Sequence, residues 1–341
     1  MYYKLNYYTI TINHITMCII CEGKSLEGLK ELCPCENVVT LPELPQSLKE
    51  FICHNCPLLT ALSELPQTLT YLSCSNCPLL AIFPELPQSL VHLNCSNCSL
   101  LTTLPELPQS LKILYCSNCP LLTTLPELPQ SLKYLDCHNC PLLTTIPELP
   151  QSFVYLYCYE CPLTTIPELP RSLKVLNCYN CPLLTTLPVL SQSLKYLNCY
   201  NCPLLTTLPE LSLSLKWLDC SNCPLLTTLP KLPQSLKYLY CSNCPLLTTL
   251  PELSESIREF NCDGCSSLIF SSDNNKHRIS PILQETINSN YLKWRKEQTL
   301  KWFSSTHGIV YEDLIKKTWH PSRVIDWCWD TEEVKWFKSL K

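Results

Sequence analysis

The sequence predicts a repeat solenoid with short parallel β-strands on one face and an extended, polyproline-like back. Three observations carry this prediction: a 21-residue unit recurs along most of the chain, its Leu and Cys positions return in nearly every copy, and two prolines return between them. The 341 residues include 30 Pro and 27 Cys but only 4 Gly, which this unit explains. A small helical region is expected after the last copy.

Eleven copies of the unit can be counted by their Cys-x-x-Cys pairs. The copy LPELPQSLKYLDCHNCPLLTT spans Leu125 to Thr145, and a degenerate further copy is expected near Leu29. One step is 20 residues long because one Leu is missing after Cys161. A loop deletion of this kind is tolerated because each coil contacts only its neighbours. The pairs begin at Cys53, Cys74, Cys95, Cys116, Cys137, Cys158, Cys178, Cys199, Cys220, Cys241 and Cys262.

Each copy alternates in the way that predicts a short strand. Leu135 and Cys137 are expected to face the interior, and the residues between and beside them to face outward. The back of the coil is LPELPQS, where Pro126 and Pro129 lack an N–H and restrict the residues before them. A helix is therefore excluded from the back, and an extended segment is expected.

The unit resembles a known class of repeats. Leu132, Leu135, Cys137, Cys140 and Leu142 fall on the spacing L-x-x-L-x-L-x-x-N/C-x-L of leucine-rich repeats. The fuller pattern, LPxLPxSLxxLxCxNCPLLTxLP, resembles the LPX class found in secreted ubiquitin-ligase effectors of enteric bacteria and in proteins of giant DNA viruses of the mimivirus type. The resemblance covers residues 41–265. The cysteine-rich units and the closing segment WHPSRVIDWCWDTEE are more similar to the viral proteins.

The resemblance implies a location and an alternative activity. A viral origin implies the host cell cytoplasm and a host protein as the partner. The bacterial effectors use a Cys-x-Asp motif, and Cys328, Trp329 and Asp330 have that spelling, but residues 266–341 are too few for that catalytic domain. No Ser/His/Asp order, glycine-rich phosphate loop or paired-carboxylate cleft stands out, so no enzyme and no catalytic residue is expected. A ubiquitin-ligase-type effector remains the alternative.

The chain divides into three parts by composition. Residues 1–40 are expected to form an N-terminal cap that includes the degenerate copy, with strand-like alternation from Tyr8 to Ile15. Residues 41–265 form the solenoid. Residues 266–341 are expected to form a helical C-terminal cap, since the repeat stops there and six of the seven Trp lie in residues 294–336.

The cysteine pairs have two interpretations. Four thiols of two consecutive coils, such as Cys137, Cys140, Cys158 and Cys161, could surround a zinc ion. The consensus nevertheless places both cysteines of each pair inside the coil, where free Cys acts as a small hydrophobe. We therefore predict buried thiols, with no metal and no cofactor, and keep a metal-binding repeat protein as the alternative. The odd number of Cys and the absence of a recognisable secretion signal favour a reducing compartment.

An Asn precedes the second Cys in nine of the eleven copies. Asn tolerates a left-handed backbone and bonds to neighbouring backbone groups, so these residues predict a turn at the end of each strand. Glu160 and Gly264 occupy this position in the other two copies.

The outward positions of the strands carry most of the variation between copies. Aromatic residues mixed with Asn and Ser are typical of protein-binding surfaces, although aromatic ladders also stabilise sheets. We predict that an exposed sheet face binds a protein partner. Nucleic acid is not expected, because a Glu column balances the Lys column and the net charge is -4; no membrane contact is expected either, and the chain is expected to be a monomer. The candidate partner-binding residues are Tyr134, Tyr155, Tyr157, Tyr196, Tyr200, Trp217, Tyr238 and Tyr240.

Overall fold

A computed structural model describes residues 10–12, 15–17, 25–32, 37–254 and 256–268. Fourteen short strands lie in these ranges, and twelve of them form one parallel sheet in chain order. The remaining two strands, β1 and β2, pair antiparallel with each other. The strands are β1 Ile10–Ile12, β2 Ile15–Met17, β3 Glu31–Leu32, β4 Glu50–Ile52, β5 Tyr71–Ser73, β6 His92–Asn94, β7 Ile113–Tyr115, β8 Tyr134–Asp136, β9 Tyr155–Tyr157, β10 Val175–Asn177, β11 Tyr196–Asn198, β12 Trp217–Asp219, β13 Tyr238–Tyr240 and β14 Glu259–Asn261.

The predicted solenoid is confirmed over these residues. Each strand pairs with its equivalents in the two adjacent coils, so that Leu135 lies between Leu114 and Leu156. The 20-residue coil keeps the same register, since Leu156 is the partner of Leu176. The missing residue is therefore absorbed in the loop, and equivalent residues form columns along the whole stack.

The interior of each coil is filled by Leu and Cys. Leu132, Leu135, Cys137 and Cys140 have no exposed surface. The expectation that Leu142 occupies the next interior position is wrong: Leu142 is 48% exposed, and its neighbour is fully buried. The reason is a tight turn closed by the hydrogen bond from the amide of that neighbour to the Cys140 carbonyl, at 3.0 Å. Leu142 lies in the turn and points outward, and the chain re-enters the core one residue later.

The predicted left-handed turn after each strand is confirmed. All nine Asn at this position have φ between 51° and 60°, Glu160 has φ 56°, and Gly264 has φ 74°. Their side chains also connect the coils, because the Asn139 carboxamide donates to Asn118 Oδ1 at 2.8 Å. Three further Asn pairs repeat this bond at 2.7–2.9 Å.

A second side-chain ladder, formed by Ser, was not anticipated from the sequence. The amide of Leu132 turns back to the Pro129 carbonyl, so it does not reach the Leu111 carbonyl of the preceding coil. The hydroxyl of Ser131 donates to that carbonyl instead, at 2.6 Å. The serines of other coils make the equivalent bond at 2.6–3.1 Å. Buried carbonyls are thereby satisfied where the proline-rich back offers few N–H donors.

The ends of the chain are described only in part. The degenerate copy near Leu29 contributes β3, which is the first strand of the parallel sheet. The stretch from Tyr8 to Ile15 contributes β1 and the start of β2. The predicted C-terminal helices and the Cys328 motif lie outside the described residues. Among the residues that the structure describes, none belongs to a helix long and apolar enough to cross a bilayer.

Replacing Glu160 by Asn is expected to stabilise the protein. A left-handed backbone costs a residue with a long side chain roughly 1–2 kcal/mol, and Asn lowers that cost. We expect the Glu160→Asn variant to gain roughly 0.5–1 kcal/mol, measured as a higher midpoint of urea unfolding. Glu148→Asn is the control, because it makes the same charge change at an exposed loop residue outside the positive-φ positions. An equal shift in both variants would contradict a backbone origin.

Candidate functional site

The outer face of the sheet carries a second apolar cluster, separate from the interior of the coils. We call it the aromatic cluster. It extends over β7 to β12, and half-buried side chains extend it at its edges. Its buried members are Ile113, Tyr134, Tyr155, Tyr157, Val175, Tyr196 and Trp217, and the half-buried ones are Tyr115, Val154, Tyr159, Tyr238 and Tyr240.

The predicted exposure of this face is wrong for five of the eight candidate residues. Tyr134, Tyr155, Tyr157, Tyr196 and Trp217 are at most 7% exposed. In-register stacking places their rings against those of the adjacent coils, where they cover one another. The other three candidates, Tyr200, Tyr238 and Tyr240, are half-buried. A role in partner binding stays a prediction for all eight.

Ring contacts connect the aromatic cluster across successive strands. The ring centroid of Tyr134 lies 4.9 Å from that of Tyr115 and 5.3 Å from that of Tyr157. Trp217 contacts both Tyr238 and Tyr240, with 5.0 Å between centroids in each case. Aromatic pairs at such distances contribute roughly 0.5–1.5 kcal/mol each beyond the burial of their area. The rings therefore stabilise the sheet, whatever else they do.

A smaller ring stack lies just beyond the ends of β8 to β10. His138 stacks on Tyr159 at 4.2 Å, and Tyr159 stacks on Tyr179 at 4.1 Å. His138 Nδ1 lies 2.6 Å from a carboxylate oxygen of Asp136, which fixes the orientation of the imidazole. The stack therefore presents a rigid edge next to the aromatic cluster.

A row of buried polar side chains crosses β10, β11 and β12. Asn198 Oδ1 accepts from the Tyr200 amide at 3.0 Å. Asn177, in contrast, is fully buried, and its carboxamide finds no hydrogen-bond partner in the described part of the chain; the same holds for Trp217 Nε1. An unpaired buried group costs roughly 1–3 kcal/mol. No sequence pattern indicates this unpaired carboxamide, because Asn177 is one of several Asn in its column.

Asp219 is the charged member of this row. It is 5% exposed, and its Oδ1 accepts from the Ser221 amide at 3.0 Å. Burial raises the pKa of Asp219 to about 6, against an ordinary value of 3.8, although the hydrogen bonds from Ser221 lower it in part. Part of the Asp219 population is therefore protonated near pH 6.

The cysteines form a ladder of thiol hydrogen bonds in the interior. The Cys140 thiol donates to the Cys116 carbonyl at 3.3 Å, and the second cysteine of every coil from Cys77 to Cys265 makes the same bond to the preceding coil. The ten sulfur–oxygen distances are 2.9–3.4 Å. All cysteines in the described residues are free, and no three metal-ligating side chains in this part of the chain could hold an ion. Metal analysis of the purified protein tests the prediction that it carries no zinc.

Burial keeps most of these thiols protonated. It raises the pKa of Cys161 to about 11 and that of Cys181 to about 12. Two thiols differ: hydrogen bonds from neighbouring cysteines lower the pKa of Cys77 to about 4, and the hydrogen bond with Cys241 lowers the pKa of Cys265 to about 6. Cys77 has no exposed surface, whereas Cys265 is half-buried. Of these two, Cys265 is therefore the one that a reagent can reach.

The Leucine Rich Repeat family model matches six segments of the chain, at residues 68–90, 89–111, 110–132, 131–153, 214–236 and 235–257. These segments coincide with coils of the twelve-stranded parallel sheet. The chain is a leucine-rich repeat protein. No curated protein matches its sequence significantly.

Three solved structures to which this leucine-rich repeat protein is similar come from bacteria. YopM from Yersinia enterocolitica is 27% identical with a TM-score of 0.40, and the match covers 66% of this chain and 62% of that one. YopM from Yersinia pestis, described as a leucine-rich effector protein, is 32% identical with a TM-score of 0.44, covering 69% of this chain and 83% of that one. A leucine-rich repeat protein from Bacteroides ovatus is 17% identical with a TM-score of 0.43, covering 76% of this chain and 84% of that one.

Asp219 is expected to make stability depend on pH. Its pKa is higher in the folded state, so the folded protein binds more protons between about pH 4 and pH 6. Stability then falls as the pH rises through this window, by about 2 to 3 kcal/mol in total. Asp219→Asn should remove this loss, because Asn occupies the same column in other coils and keeps the bond to the Ser221 amide. Urea unfolding at pH 5 and pH 7.5 measures the effect.

The control for that experiment is Asp263→Asn, which removes an exposed carboxylate from the same end of the sheet. It should leave the pH dependence of the wild type in place. If Asp219→Asn lost stability between pH 5 and pH 7.5 as steeply as the wild type, the buried carboxylate would not be its cause.

Cys265 is expected to be alkylated first among the described cysteines. Cys265 is half-buried and its pKa is lowered to about 6, whereas Cys244 is fully buried and its pKa is raised to about 11. Brief treatment of the native protein with iodoacetamide, followed by peptide mass spectrometry, should label Cys265 well before Cys244. Cys265→Ser should remove that label and leave the slow labelling of Cys244 unchanged. Equal rates at the two residues would disprove the assignment.

Proposed function

We propose that this leucine-rich repeat protein is a non-catalytic scaffold that binds another protein through the outer face of its parallel sheet. The proposal rests on a contrast between the interior residue positions, which are constant from coil to coil, and an outward position, which varies. Interior positions repeat Leu and Cys from coil to coil, whereas the third strand position changes in almost every coil. That column is Ile52, Ser73, Asn94, Tyr115, Asp136, Tyr157, Asn177, Asn198, Asp219, Tyr240 and Asn261. A constant core that supports variable outward residues is the arrangement that binding solenoids use.

The partner contact is assigned to three half-buried tyrosines, of which Tyr238 and Tyr240 lie at the edge of the aromatic cluster. Tyr200, Tyr238 and Tyr240 retain accessible surface next to the last coils. The Tyr240 hydroxyl donates to the Glu259 carboxylate, which holds this ring in place before any partner arrives. Tyrosines held in this way bury a large area at a small cost in conformational entropy, and they are frequent hot spots of protein interfaces.

The five buried candidates have a supporting role in this proposal. Tyr134, Tyr155, Tyr157, Tyr196 and Trp217 lack the surface that a partner could touch. They hold the sheet face rigid beneath the accessible rings, so changing them is expected to reduce the stability of the sheet.

The compartment and the source of the partner rest on the resemblance to viral proteins. We propose the cytoplasm of an infected cell and a host protein as the partner. The free state of every described cysteine supports a reducing compartment.

The test is affinity capture from host lysate with the full chain, followed by a binding measurement on the partner identified. Tyr200→Ser combined with Tyr238→Ser should weaken binding at least ~10-fold while the circular dichroism spectrum stays that of the wild type. The control combines Gln130→Ser with Glu148→Ser, two exposed residues of the back. Unchanged binding by the folded tyrosine variant, or equal loss in the control, would place the contact on another surface.

A further inference from the structure

Nine coils expose the same leucine on one side of the solenoid. It is the first Leu after the second Cys of each pair, within CPLLTT in six coils and within CSLLTT, CPLLTA and CPLLAI in one coil each, and its exposed fraction is 39–48% in all nine. We call this row the leucine ridge. Its members are Leu58, Leu79, Leu100, Leu121, Leu142, Leu183, Leu204, Leu225 and Leu246.

The register of the sheet aligns the ridge along the stack. Adjacent coils are about 4.8 Å apart, so the ten coils from Leu58 to Leu246 give a ridge roughly 43 Å long. The turn that exposes each leucine recurs in every one of these coils but one. The exception is the 20-residue coil, which has one Leu after its proline instead of two. That residue, Leu163, is fully buried. The ridge therefore consists of five leucines, a gap and four leucines.

The surroundings of the leucine ridge carry almost no charge. In each of the ten coils the stretch around the ridge begins at the Asn of the turn and ends two residues after the buried Leu. These stretches contain no Asp, Glu, Lys or Arg except Glu160, which replaces the turn Asn in one coil. Pro on one side and two Thr on the other flank most ridge leucines, and the Thr residues are exposed. A strip roughly 15 Å wide and 43 Å long covers about 650 Å². A continuous uncharged strip of this size, with a leucine exposed in nine of its ten coils, differs from single exposed leucines, which need no explanation.

We infer that the leucine ridge is a homodimer interface, which replaces the monomer expected from the sequence. A second copy has the same spacing of one leucine per coil, so the leucines of two ridges can meet one against one, coil by coil. A helix places its side chains at a different spacing, with a rise of 1.5 Å and a pitch of 5.4 Å, and would lose register along the ridge. An uncharged face can also meet its own copy without repulsion between like charges.

The area is sufficient for this pairing. Two strips of about 650 Å² bury about 1,300 Å² in total, above the ~1,000 Å² that a specific interface needs. No residue of the leucine ridge belongs to the aromatic cluster, and Tyr238 and Tyr240 precede the nearest ridge residue of their coil by at least six positions. The two proposals therefore stand or fall separately.

The gap in the ridge fixes how the two copies align. A two-fold axis through the 20-residue coil places gap opposite gap. With the axis along the stack, all nine leucines face their own copies; with the axis across it, four of the five leucines before the gap face the four leucines after it. In both cases Thr164, which is exposed in that coil, lies against the same residue of the second copy.

Sedimentation equilibrium of the full chain from ~1 to ~100 µM tests the dimer. Leu121→Glu combined with Leu204→Glu puts charge on the ridge at residues that are each 39% exposed. The control combines Val189→Glu with Leu213→Glu, which are 84% and 78% exposed and lie on the back. We expect dimers for the wild type and the control, and a dissociation constant at least ~100-fold higher for the ridge variant. A monomeric wild type at ~100 µM, or a ridge variant that dimerises as tightly as the control, would overturn the proposal.

Cross-linking tests the alignment. In the Thr164→Cys variant, mild oxidation by oxygen with a copper catalyst removes two protons and two electrons from the paired thiols and forms one disulfide between the copies. Such a bond forms only where the two Cα atoms approach within about 7 Å, so it reports which residues face each other across the axis. Leu213→Cys is the control, and the wild type gives the background from its native cysteines. Covalent dimer should be abundant only for Thr164→Cys on a non-reducing gel; equal amounts in all three proteins would refute the gap-to-gap alignment.

Discussion

The structure depends on in-register stacking of a 21-residue coil. Because each residue lies beside its equivalent in the next coil, any side chain that can bond to a copy of itself or to the neighbouring backbone forms a ladder. Asn does so at the turn, Ser at the end of the back and Cys in the interior. These ladders supply donors where the proline-rich backbone has few. The high content of Asn, Ser, Cys and Pro is thus a single structural solution repeated in every coil.

Stacking also decides what the outward residues become. A ring that is repeated in adjacent coils finds a partner ring on each side, and Tyr134, Tyr155 and Tyr157 form part of a second apolar layer. A polar residue in the same position depends on local bonds. Asn198 makes one with the Tyr200 amide, whereas Asn177 finds none in the described residues. The same sheet face therefore contains stabilising rings and costly polar groups side by side.

The sequence predicted the features that follow from the period. Strand positions, the interior cysteines, the left-handed Asn turn and the tolerance of a 20-residue coil all depend on the spacing of residue types along one unit. The prediction from sequence failed where three-dimensional packing decides which side chains are buried. Both Leu142 and Leu143 fit an apolar position, and only the turn closed on Cys140 shows which one is buried. Likewise, the alternation of the strand placed Tyr196 outward but could not show that its neighbours would cover it completely. The Ser ladder was not predicted, because the sequence alone does not show which carbonyls at the back of the coil lack a backbone N–H donor.

The hydrogen bonds between coils have a consequence for the history of the chain. Each coil offers the next one the same donors and acceptors that it receives from the coil before, so inserting or deleting a whole unit leaves no broken bond in the middle of the stack. Only the two terminal coils are sensitive to such a change. The number of units is then free to vary by duplication, and each added unit lengthens the sheet face by about 4.8 Å. The length of the protein can thus be adjusted to the size of what it binds without redesigning its core.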